Sequence, residues 1–129
     1  ISNNALRITS NKYVIVVSIS ELSFDQFKPN YTNLPSVLET YGYETGSIGI
    51  KTVSDIEIAT CDVTINGESG IYFVLSAPSN NNYIFEGLFV NIDSAIDYDD
   101  LKELVKVLKE FKSTGDYTNY SKSYGVDFE

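Results

Sequence analysis

The chain contains no histidine, no tryptophan and no methionine, and only one cysteine. The lack of histidine excludes the Ser-His-Asp and Cys-His routes to an activated nucleophile. With a single cysteine it also excludes a structural or histidine-based zinc site, so no metal and no cofactor is expected. The eight glycines are scattered. Gly46-Ser47-Ile48-Gly49 does not lie between a strand and a helix, so a phosphate-cradling loop of the P-loop or dinucleotide type is missing as well. Cys61 has no partner in the chain for a disulfide. It alternates with Ala59, Val63 and Ile65, and reads as a small buried core side chain. No apolar run approaches the roughly 20 residues of a membrane span, so this domain is not expected to insert directly. Cations are scarce, 9 Lys and Arg against 18 Asp and Glu, for a net charge of -9. That balance repels phosphate backbones and anionic membranes, and a nucleic-acid partner is not expected. Even the starting methionine is absent. The expectation is that a processed signal peptide, a lipoprotein anchor or a further domain preceded Ile1.

What is present reads as a single α+β domain over residues 1–129, with a core at 1–112 and a docked, Tyr-rich tail at 113–129. At 129 residues the chain can bury a core without staples. The stretch CDVTINGESGIYFVLSAPSNNNYIFEGLFVNI, Cys61 to Ile92, gives three successive strands. Asn66-Gly67 with Gly70 makes the first reversal and Pro78 to Asn82 the second. Upstream, Ala5 to Thr9 predicts a short strand, and YVIVVSIS, Tyr13 to Ser20, a central strand covered on both faces. Ser23 and Gln26 have capping-box spacing for a short helix that stops at Pro29. After a loop, Leu34-Pro35 opens a second helix with Val37, Leu38 and Tyr41 on its apolar face and Gly42 as its cap. Ser47 to Val53 and Ile56 to Ile65 follow as strands. The switch of apolar parity within the latter predicts a bulge near Ile58. The strand Tyr83 to Ile92 is apolar on both sides and is expected to be doubly covered, with Glu86 as the exception. The last helix is capped by Asp97, carries Asp99 and Asp100 in its first turn, and presents Leu101, Leu104, Val105, Leu108 and Phe111 to the sheet. The fold expected is a curved antiparallel sheet of about six strands in the order ββαββββα, covered by an N-terminal broken helix and a C-terminal helix.

The chemistry left open is that of carboxylate, lysine or tyrosine. Alternation puts Glu86 between Ile84 and Leu88 on a face that should be buried. Asp62 lies on the opposite parity to Cys61, and the two acids could form a two-carboxylate, glycosidase-like pair. The alternative is that Glu86 marks the exposed end of the sheet or accepts a hydrogen bond from a tyrosine. Asp93, Asp97, Asp99 and Asp100 invite a calcium site, but their spacing lacks the ligand pattern of an EF-hand loop and helix capping already explains three of them. Ten tyrosines and seven phenylalanines also allow a binding surface. Tyr41, Tyr43, Tyr117, Tyr120 and Tyr124, at turn and tail positions, are its candidate residues together with Glu86. No catalytic residue is assigned.

The phrases ELSFDQFK after the early strands, INGESGIYFVLS, and the closing YDDLKELVKVLKEFK give the chain from Leu6 to Lys112 a pattern that resembles the PsbP-like group of secreted and lipid-anchored proteins. That group has no shared catalytic residues to carry over. The resemblance implies a non-enzymatic accessory or interaction domain outside the cytoplasm, with a protein or a surface polymer as partner. A pocket around Glu86 that binds a small ligand, or that works as a carboxylate-based enzyme, is the other reading. A pocket of a few hundred cubic ångströms holding Glu86 and another carboxylate would favour it.

Overall fold

The computed structural model describes residues 6–77 and 81–109. The tail at 113–129, with Tyr117, Tyr120 and Tyr124, lies outside the described residues, as does Phe111. The described residues form an α+β arrangement built on one six-stranded antiparallel sheet. Its strands are β1 (Leu6–Thr9), β2 (Tyr13–Ser20), β3 (Glu44–Val53), β4 (Ile56–Ile65), β5 (Glu68–Ser76) and β6 (Ile84–Asn91), with spatial order β1-β2-β6-β5-β4-β3. Strands β3 to β6 form a continuous meander, and β2 closes onto β6 with Tyr13 opposite Asn91 and Ser20 opposite Ile84. Between β2 and β3 lie α1 (Phe24–Phe27), a 3-10 helix (Lys28–Asn33) and α2 (Leu34–Thr40), and α3 (Tyr98–Lys109) follows β6. No helix among the described residues is long and apolar enough to cross a membrane.

Local chemistry accounts for the turns. Ser54 and Asp55 (φ 50° and 66°) and Asn66 and Gly67 (φ 53° and 81°) are left-handed pairs, the two-residue hairpin geometry that matches strand twist. The capping box forms as its spacing predicts: Ser23 Oγ accepts from the Gln26 amide at 3.1 Å and the Gln26 side chain accepts from the Ser23 amide at 3.1 Å. Pro29 does not end the helical run, because a proline in the first turn of a 3-10 helix gives up no hydrogen bond. A 3-10 helix therefore occupies the place of the expected loop.

The sheet has a core on each face. On one, Ile15, Val17, Ile58, Phe73, Phe85 and Phe89 pack with Leu101, Leu104, Val105 and Leu108 of α3. On the other, Ala59, Cys61, Val63, Val74 and Ile84 pack with Phe24 of α1 and Leu34 and Leu38 of α2. Cys61 is fully buried there, and burial pushes its thiol pKa up.

Four expectations are corrected by this layering. Strand β2 is second from the edge rather than central; β6 and β5 hold the middle. There is no bulge near Ile58, since β4 keeps unbroken register with β5 from Ile58 opposite Leu75 to Ile65 opposite Glu68. Its parity switch instead records a change of cover: Ile58 faces the α3 core and Ala59, Cys61 and Val63 the α1–α2 core. The irregularity is in β3, between Thr45 and Ile48, where an added Cβ on Gly46 would stand 3.2 Å from Asp62 Cβ. On α2, Leu34 and Leu38 are buried, whereas Val37 is 48% exposed and Tyr41, just past the helix, is 67% exposed. Finally, β6 is doubly covered only at its start. Ile84 is buried, but Glu86, Leu88 and Val90 on the same face are only half-buried.

Candidate functional site

That incomplete cover makes a cavity of about 550 Å³ between α2 and the outer face of β2, β6 and β5. Its walls are apolar, from Val16 of β2, Leu88 of β6 and Leu34, Val37 and Leu38 of α2. Ser18, Ser20, Tyr72 and Glu86 supply its polar groups, and Tyr41 and Tyr43 line it from the turn that follows α2. Glu86, Tyr41 and Tyr43 thus meet at one place.

Sheet register explains how Glu86 is held. Glu86 stands directly opposite Ser18 on β2 and Val74 on β5, while Ser20 and Tyr72 occupy the diagonal positions, within reach of long side chains. Ser20 Oγ donates to one carboxylate oxygen at 2.8 Å and Tyr72 OH donates to the other at 2.7 Å. Glu86 does accept from a tyrosine, and it does so inside a cavity rather than at a bare sheet end. Burial and the adjoining Glu86 charge push the Tyr72 phenol well above its ordinary 10.0. Tyr72 therefore stays a neutral donor throughout the physiological range.

The pairing of Glu86 with Asp62 is corrected. Asp62 stands opposite Ile71, and Ile71 opposite Phe89, both in the core under α3; Glu86 stands opposite Val74, in the core under α2. The two carboxylates project from opposite faces of the sheet, and among the described residues no second carboxylate lines the cavity.

The acids at the start of α3 are engaged one by one. Asp97 Oδ1 caps the helix by accepting from the Asp100 amide at 2.9 Å, and Asp100 Oδ2 accepts from the Asp97 amide at 3.0 Å. Exposed Asp99 lies 3.7 Å from Lys102. Asp100, 2% exposed, accepts hydrogen bonds from Tyr13 OH and from Asn91 Nδ2. Burial alone would raise its pKa, but these donors, the Asp97 amide and the charge of Lys12 together hold it below the ordinary 3.8. Among the described residues no three acids, with or without Cys61, converge to hold a metal ion. Asp100 instead ties the start of β2, the end of β6 and the start of α3 together, a role that capping spacing alone did not reveal.

Sequence reasoning missed Ser18, Ser20, Tyr72, Val16 and Leu88 as cavity residues. Leu88 shares the face of Glu86 by alternation, but alternation within β6 carried no signal for Val16, Ser18 and Ser20, which approach only when β2 pairs with β6 across more than sixty residues of chain, nor for Tyr72, which reaches Glu86 across the β5–β6 pair. Set against family models, characterised proteins and solved structures, the chain matches none, so its resemblance to the PsbP-like group rests on sequence pattern.

Proposed function

We propose that the chain is a non-enzymatic binding domain whose recognition element is the cavity around Glu86. The observation that carries this is the composition of the cavity: apolar walls, phenol rings, and one carboxylate held by Ser20 and Tyr72. A concave, mostly apolar site with a few convergent polar groups is the usual form of a small-ligand site. An accessory domain outside the cytoplasm, its helical crossover and last helix laid on either face of the sheet, is the setting that the PsbP-like pattern supports. The ligand would then be a free molecule or a group displayed by a protein or surface polymer.

The test is methyl-detected NMR of the full chain against a panel of small amphipathic molecules. Shifts should concentrate on Val16, Leu38 and Leu88, the methyl groups of the cavity walls. Shifts scattered over the surface, or none at millimolar ligand, would remove the reading.

A second reading is favoured by one distance. Ser20 Oγ lies 2.8 Å from Glu86 Oε2, a nucleophile and base within hydrogen-bond reach, with Tyr72 orienting the base. Against it, an acyl-transfer site also needs donors for the developing oxyanion, and the β6 backbone groups opposite Ser20 are spent on pairing with β2 and β5. Hydrolysis of p-nitrophenyl acetate that disappears in Ser20→Ala would establish this reading over the first.

A further inference from the structure

We infer that the occupant of the Glu86 cavity is an organic cation, an ammonium group carried on an apolar body. This rests on the binding reading above and deepens it. Among the described residues Glu86 is the one charged residue lining the cavity, and neither Lys nor Arg lines it. The ion pairs Lys12–Asp100, Lys28–Glu57 and Lys102–Asp99 all lie elsewhere, and among the described residues no cation pairs with Glu86. Its hydrogen-bond donors among the described residues are two neutral hydroxyls, Ser20 and Tyr72. A carboxylate offers about four acceptor positions, so roughly half remain for a ligand.

The charge decides among ligand classes. An anion entering the cavity would meet Glu86 with no cation among the described residues to offset it. A neutral ligand would strip water from the carboxylate and return at most a hydrogen bond, which costs free energy for a charged group. An ammonium replaces that water with a charge-assisted hydrogen bond. Tyr41, Tyr43 and Tyr72 also line the cavity, and aromatic rings attract an ammonium by cation–π contact. The walls from Val16, Leu38 and Leu88 suit an apolar substituent rather than a bare inorganic ion, which would bring tightly held water against them. The net charge of -9 further raises the concentration of cations near the chain.

The experiment compares three probes that share a phenyl group, namely 2-phenylethylamine, 2-phenylethanol and phenylacetate. Each is titrated into the full chain at neutral pH and about 0.15 M sodium chloride, so that long-range attraction is screened. The readout is again the methyl shifts of Val16, Leu38 and Leu88. The amine should bind roughly tenfold or more tighter than the alcohol, and phenylacetate weakest. Glu86→Gln should reduce that preference to within roughly twofold. Tyr41→Ala, at a position 67% exposed, should weaken the amine more than the alcohol. If the alcohol binds the native chain as tightly as the amine, the cavity remains a ligand site and the cation is wrong. Tighter binding of phenylacetate overturns the cation in the same way. If none of the three moves the cavity methyls, the cation and the binding reading fall together.

Discussion

At the scale of single residues, Asp100 and Tyr72 show how buried polar groups are kept in this chain. Asp100 is buried beneath the N-terminus of α3 and is satisfied by Tyr13, Asn91 and the Asp97 amide. Because its folded pKa lies below the ordinary 3.8, the unfolded chain binds more protons in the window between the two values. Stability therefore rises with pH there: the contribution of Asp100 is complete above 3.8 and is lost as pH falls through the folded value. Asp100→Ala should lower stability by about 2–3 kcal/mol at neutral pH, since it strands buried donors. It should also flatten the acid limb of a urea-midpoint profile taken from about pH 5 to about pH 2. An unchanged limb would show that Asp100 does not set it. Tyr72 makes the opposite case. Burial and the Glu86 charge raise its pKa, as burial and the hydrogen bond to Asp100 raise that of Tyr13. Both favour the folded state below pH 10.0, and that advantage is lost as pH climbs through their folded values. In an alkaline absorbance titration of the ten tyrosines, these phenols should ionise only as the chain unfolds. Ionisation of all ten near pH 10 with the fold intact would contradict the burial of both.

At the scale of elements, capping and hairpin chemistry were legible because they are local. Ser23 with Gln26, the Asn66-Gly67 turn and the Asp97 cap each need only their own few residues. The facing of α2 was not legible. Val37, Leu38 and Tyr41 share an apolar character, but only a helix docked on a sheet chooses which of them is buried, and this one chose Leu34 and Leu38. Leu38→Ala should therefore cost about 2–5 kcal/mol by leaving a cavity in the core. Val37→Ser should stay within about 0.5 kcal/mol. Equal losses in chemical denaturation would mean that α2 is rotated from this position. Strand β6 carries a sharper constraint. A Cβ on Gly87 would come 1.7 Å from the Val16 carbonyl oxygen of β2, a backbone atom that cannot swing aside. Gly87→Ala should destabilise by about 3 kcal/mol, the upper end of overpacking. A loss below about 1 kcal/mol would show that β2 and β6 lie farther apart than this.

At the scale of the whole molecule, the alternating strands, the α3 stripe and the isolation of Glu86 could all be read from periodicity. The cavity could not, because it is a product of strand order. The meander brings Tyr72 to Glu86 locally, but Ser18 and Ser20 arrive only when β2 pairs with β6, and the open face exists only because α1 and α2 pack against Ala59, Cys61, Val63, Val74 and Ile84. Charge is the other global property, and it acts without regard to topology. A net charge of -9 on 129 residues repels itself in the compact state. The ion pairs Lys28–Glu57 and Lys102–Asp99 are at the surface, where such pairs contribute little. Self-repulsion therefore outweighs local pairing, and salt should stabilise the chain. Raising sodium chloride from about 0.01 M to about 0.15 M shortens the screening length from about 30 Å to about 8 Å, enough to separate charges on opposite sides of the domain. Relief on the order of 1 kcal/mol corresponds to a Tm higher by about 4 °C for a chain of this size. A Tm that falls with salt would reverse the order of the two effects and show that local attraction, in pairs such as Lys12–Asp100, dominates the electrostatics of the fold.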